Sequence, residues 1–264
     1  DPKGLDAAIV DARMDIDADG VTVSGLAFTN PDAGFGVVIN GVDNTKISFN
    51  TFTNIGTSYT GRSAQAIYYD GGPDAAEGLV ISDNTITGVG SDLLNTVSSG
   101  SGSSAKGIFI GDSSSPEALT DVLIENNVIT DVDASNAPSD TNGKGAYGIL
   151  VNYGVFSTGS VEGLVVRFNT MSDLVGQWSN VISLDTNTPG ALVSFNYLFD
   201  ATAQGTDSNA VWFDGNPSSD VDVVFNNLES TIDFGVGVHP GNSAIFVNAE
   251  NNWWGDATPA DEVV

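Results

Sequence analysis

The chain has 264 residues, 41% of them hydrophobic, and its 34 acidic side chains against 7 basic ones give a formal charge of −27. That apolar share can build a packed core, whereas the charge excludes nucleic acid and an anionic membrane surface as default partners. No run of about 18 apolar residues occurs, so no segment is expected to insert into a bilayer.

The acid is mostly Asp, and Lys occurs only as Lys3, Lys46, Lys106 and Lys144. Self-repulsion on this scale is screened at molar salt, where the Debye length falls to about 3 Å. The composition therefore reads as salt-adapted, the alternative being an acidic secreted domain loaded with calcium. There is no cysteine, which removes disulfides, thiolate metal sites and thiol nucleophiles. The only histidine is His239. Asp1-Pro2-Lys3 opens no signal-peptide pattern. The chain is thus expected to be a mature product or an excised piece of a longer protein.

Residues 1–20 are expected to form an N-terminal cap or first partial coil. Within them Asp15, Asp17 and Asp19 imitate the start of a calcium loop, but the twelfth position holds Leu26 in place of the bidentate Glu. Alternation explains them as the solvent face of a strand with Met14, Ile16 and Ala18 inward. No cofactor is required, and calcium at these three acids is the one metal candidate.

From residue 21 to 255 one phrase recurs. It reads Ile47-Ser48-Phe49-Asn50-Thr51-Phe52, then Ile81-Ser82-Asp83-Asn84-Thr85-Ile86, and returns around Asn127, Asn169, Asn196 and Asn226. A last version surrounds Asn251. A second phrase precedes each: Gly36-Val37-Val38-Ile39, Ala66-Ile67-Tyr68-Tyr69, Gly107-Ile108-Phe109-Ile110, Gly148-Ile149-Leu150-Val151 and three more. A constant phrase with an elastic remainder is the mark of a solenoid. Asn suits the turn because it tolerates left-handed backbone and its amide bonds to backbone, so stacked turns predict an asparagine ladder.

On these residues the chain resembles the right-handed parallel β-helix family, the architecture of pectate lyases. The resemblance implies an all-β fold: a single solenoid of about seven to eight coils, with three short strands per coil. The ending Asn251-Asn252-Trp253-Trp254-Gly255-Asp256 resembles a phrase of β-helical surface proteins of halophilic archaea. Residues 256–264 are then a C-terminal tail or the start of a further region.

In such pectinases the substrate groove lies outside the strand that matches the Gly36-Val37-Val38-Ile39 phrase. With Ile67 and Tyr69 inward, two outward columns follow. One runs through Val38, Tyr68, Phe109, Leu150, Ser183, Trp212 and Gly237, the other through Asn40, Asp70, Gly111, Asn152, Asp185, Asp214 and His239. Tyr68, Asp70, Phe109, Asn152 and Trp212 are the candidate ligand-binding groove, since aromatics and amides suit sugars. Asp185, Asp214 and His239 are the catalytic candidates, with the two acids on adjacent coils about 4.8 Å apart. The family's own signatures are absent: no Lys or Arg falls in either column, and neither a Gly-His-Gly nor an Asp-Pro-His phrase occurs.

A complete fold signal without a complete catalytic signature makes a secreted structural or surface-exposed interaction module the first expectation, at the cell surface or outside the cell. Its partners would be other copies or neighbouring domains of the parent protein. The alternative is a protein that binds or cleaves an extracellular polysaccharide, as a lyase or glycoside hydrolase, on the outward face.

Overall fold

The computed structural model describes residues 7–61, 63–72, 74–91, 104–112, 118–135, 145–153, 159–205, 208–214, 220–229, 232–239 and 246–255. The expected tail at 256–264 lies outside them. Among the described residues every regular element is a β-strand, and the strands form four parallel sheets of nine, eight, eight and three strands.

The chain visits the three large sheets in rotation. Ala8–Val10 lies in the nine-stranded sheet, Met14–Ile16 in one eight-stranded sheet and Thr22–Ser24 in the other; Leu26–Asn30, Phe35–Asn40 and Lys46–Ser48 then repeat the order. The sheet of Phe35–Asn40 also holds Ser104–Asp112 and Gly145–Tyr153 and is called the long-strand sheet below; that of Lys46–Ser48 is the short-strand sheet. One pass through all three is a circuit. The stretch read as a cap supplies the first strands, with Ile9 opposite Ala27 and Ile16 opposite Ile39. In three circuits a two-residue strand (Ala76–Glu77, Leu119–Thr120 and Val161–Glu162) adds the small fourth sheet.

Alternation drives the core, because one face of each strand must leave water. Ile47, Ile81, Ile124, Val166, Val193 and Val223 occupy one register column of the short-strand sheet, all buried. Phe52, Ile86, Ile129, Met171 and Leu198 do the same in the nine-stranded sheet, and Phe28 stacks on Phe52 with centroids 4.7 Å apart. At the far end Trp254 packs against this core while Trp253 stays exposed.

The corner from the short-strand sheet to the nine-stranded sheet takes two residues in every circuit from Asn50 to Asn226. The first residue is left-handed, with φ between 55° and 59° at Phe49, Asp83, Asn126, Phe168, Phe195 and Phe225. The second is the ladder asparagine. Asn50, Asn84, Asn127, Asn169, Asn196 and Asn226 each donate from the backbone N–H and from Nδ2 to the Oδ1 of the next. The seventh member is Asn252, one position beyond the Asn251 read from the sequence; Asn251 takes the left-handed position, with φ 60°. Each Nδ2 also donates to a strand carbonyl, as Asn127 does to Ile81 at 3.0 Å, so buried polar groups on successive circuits satisfy one another.

Candidate functional site

The two outward columns have the expected register. Val38 pairs with Tyr68, Tyr68 with Phe109, Phe109 with Leu150, Leu150 with Ser183, and Ser183 with Trp212. Asp185 and Asp214 follow the paired residues Leu184 and Phe213, which sets the two carboxylates on neighbouring strands. His239 comes one strand further, exposed, its ring edge-on to Trp212 with centroids 6.4 Å apart.

The aromatic column is organised differently from a sugar platform. Tyr68 lies between Phe35 at 6.2 Å and Phe109 at 5.0 Å, the latter stacked with ring planes 7° apart. Lys106 Nζ also lies over the Phe109 ring, 4.6 Å from its centroid. These ring faces are thus occupied by neighbouring side chains, while Trp212 is half-buried further along. Tyr68 Oη donates to Asp70 Oδ1 at 2.8 Å, and Asn152 is exposed at the sheet's margin.

A third outward column was missed in the sequence. The long strands begin earlier than the repeated phrase, and their pairing skips one residue: Lys106 pairs with Gln65 and Tyr147, the next paired position is Ile108, and Gly107 has no register partner. The interruption shifts the alternation, so Gln65, Lys106, Tyr147, Asn180 and Asn209 form a register column of polar side chains. Lys106 is one of the seven basic residues, and it stands beside the two columns read from the sequence, in neither of them.

Around this column the polar groups converge. Lys106 Nζ donates to Ser104 Oγ, Trp178 Nε1 donates to Tyr147 Oη at 2.7 Å, and Ser183 Oγ donates to Asp185 Oδ1 at 2.6 Å. Burial pulls the Lys106 ammonium down to about 7, with the charge of Asp185 partly opposing it. Burial lifts the Asp185 carboxyl to about 7; the Ser183 hydrogen bond opposes this, nearby Asp214 adds to it and Lys106 opposes it. The Tyr147 phenol is raised, first by burial and then by Asp185. Two acceptors of the column, Gln65 Oε1 and Asn209 Oδ1, are sealed from water without a hydrogen-bond partner, although Asn209 Nδ2 donates to Asn180 Oδ1 at 2.9 Å. Both side chains are 95% buried.

The calcium candidates do not converge. Asp15 is paired with Arg13, Asp17 Oδ1 accepts from Asn40 Nδ2 at 2.6 Å, and Asp19 Oδ1 accepts from Asp43 N–H at 2.9 Å. Among the described residues no three acidic or histidine side chains are grouped to hold a metal ion.

No protein-family model matches this chain, and neither a curated protein nor a solved structure matches it.

Proposed function

We propose that the chain is a single right-handed parallel β-helix, each circuit one coil and each large sheet one face. It is secreted, adapted to high salt, and holds an extended polysaccharide across the outer face of the long-strand sheet. The rotation of the strands among three parallel sheets supports the fold. The observation that carries the function is the accessible part of that face, where Tyr68, Tyr147 and Trp212 stay half-buried and Asn152 and Asp214 are exposed. Hydroxyls arrayed along a polymer can pair with the exposed amide and carboxylate and pack against the half-buried rings.

The polymer is a neutral one, because Asp70, Asp185 and Asp214 line the same face of a molecule with charge −27. Asp185 and Asp214 are where bond cleavage would be placed. Affinity electrophoresis in molar KCl against neutral and acidic polysaccharides tests the reading. A neutral polymer should retard the wild type, and Asn152→Ala with Trp212→Ala should abolish the retardation. Chain cleavage lost in Asp185→Asn and Asp214→Asn would add catalysis to binding. Failure of every polymer to retard the wild type would leave the structural or interaction module as the reading.

A further inference from the structure

Asp185 stands between the two exposed polar groups of the long-strand face. Its backbone N–H donates to the Val151 carbonyl at 2.8 Å, so the sheet register runs one residue past Leu184. In that register Asn152 is its neighbour on one side and Asp214 on the other, and both are exposed. Asp185 itself is half-buried, and its carboxyl accepts a hydrogen bond from Ser183 Oγ. Its charge also acts on Tyr147 of the neighbouring strand and on Lys106, two strands away. Beyond Asp214 comes His239, edge-on to Trp212. Neither Asp185 nor Lys106 has an ion-pair partner among the described residues. A carboxylate so placed touches no counter-ion, has lost part of its water and neighbours a second acid, and each of these favours the protonated form. Burial does most to lift this carboxyl to about 7.

We infer that the face takes up a proton at Asp185 when it binds its polymer, so that it grips the polymer more tightly in acid than in alkali; this deepens the polysaccharide reading and rests on it. A chain that bonds to both Asn152 and Asp214 must pass over Asp185. A neutral polymer then strips the carboxyl of its remaining water and brings no cation in exchange, which disfavours the charged form further. The protonated form suits hydroxyls, because it donates as well as accepts. Lys106 is already buried, so covering the face acts first on Asp185. The carboxyl of the complex therefore ionises at a higher pH than that of the free protein. Affinity is greatest below about pH 7, where both carry the proton, and falls as the pH rises through that value. The fall ends where the carboxyl of the complex ionises too.

Affinity electrophoresis in molar KCl, run at about pH 5.5 and about pH 8.5 with the neutral polymer that retards the wild type, tests the inference. The wild type should bind about tenfold more tightly at the lower pH, the change produced when binding raises the carboxyl by one further pH unit. Calorimetry near neutrality, in two buffers of different ionisation heat, should show net proton uptake on binding. Asp185→Asn cannot ionise and should bind alike at both pH values, without proton uptake. Lys106→Met removes a positive charge that favours the carboxylate, so it should move the wild-type transition to higher pH and leave it in place. Equal wild-type affinity at the two pH values would overturn the inference and leave the polysaccharide reading standing. A pH dependence that survives in Asp185→Asn would do the same, because it would belong to another group such as His239. Absence of retardation at either pH would overturn both.

Discussion

Asn127 and Asn169 are joined twice: the backbone N–H and Nδ2 of Asn127 both donate to Asn169 Oδ1, each at 3.0 Å, and both residues are buried. Asn127 Oδ1 in turn accepts two bonds from Asn84. Asn127→Ala removes the acceptor for Asn84 and the donor to the Ile81 carbonyl, so it should destabilise by about 2–4 kcal/mol in urea unfolding. Asn127→Asp should cost more, because a carboxylate keeps the acceptor but cannot donate to Ile81 and brings a buried charge.

Salt should act on the whole molecule. With a net charge of −27, repulsion opposes the compact state until it is screened. The melting temperature should rise steadily from low to molar KCl. A melting temperature indifferent to KCl would remove the salt-adapted reading.

Lys106 and Asp185 give stability an unusual pH profile. The folded pKa of Asp185 is raised to about 7, so between about pH 4 and 7 the folded state binds the extra proton and stability falls as pH rises. The folded pKa of Lys106 is lowered to about 7, so between about pH 7 and 10 the unfolded state binds the extra proton and stability climbs again. Their joint contribution has its minimum near neutrality. Urea unfolding across this range in molar KCl should show the dip; Asp185→Asn should flatten its acid limb and Lys106→Met its alkaline limb.

The Trp178–Tyr147 hydrogen bond depends on the absence of a side chain at Gly145. A Cβ there would lie 2.3 Å from Trp178 Nε1 and 2.5 Å from the Tyr147 ring. Gly145→Ala should displace the indole and red-shift its fluorescence, measured as the difference from the same change in a Trp178→Phe background. An unchanged emission would show that the pair tolerates the methyl group.

Strand order and inward columns were legible because alternation and the Asn phrase carry them directly: Ile47, Ile81 and Ile124 stand at the same offset from their asparagines. The site was legible only in part. Tyr68, Phe109, Asp185 and Asp214 follow from simple alternation once Ile67 and Tyr69 are set inward. Lys106 and Tyr147 do not, because the unpaired Gly107 and Gly148 shift the count by one. A Cβ at Gly148 would approach Met171 Sδ and the Val181 carbonyl to 2.7 Å each, a tertiary contact that no local pattern announces. The two-residue strands of the fourth sheet are too short for alternation to appear. The exposed corner phenylalanines were hidden for a different reason: Phe168 reads as one more apolar residue in an apolar phrase, yet at φ 56° it stays 48% exposed.

The two-residue asparagine corner never changes length from Asn50 to Asn226, while the connections at the other two corners differ from circuit to circuit. Each ladder asparagine bonds to its immediate neighbours, so the register is inherited one circuit at a time. Excising residues 85–127, which joins Asn84 to Val128, removes one complete repeat and presents Asn169 Oδ1 to Asn84. Deleting the single residue Asn126 instead throws the corner out of phase with both neighbours. Gain or loss of a whole repeat therefore leaves the inherited register intact, whereas a one-codon slip at the corner breaks it for every circuit that follows.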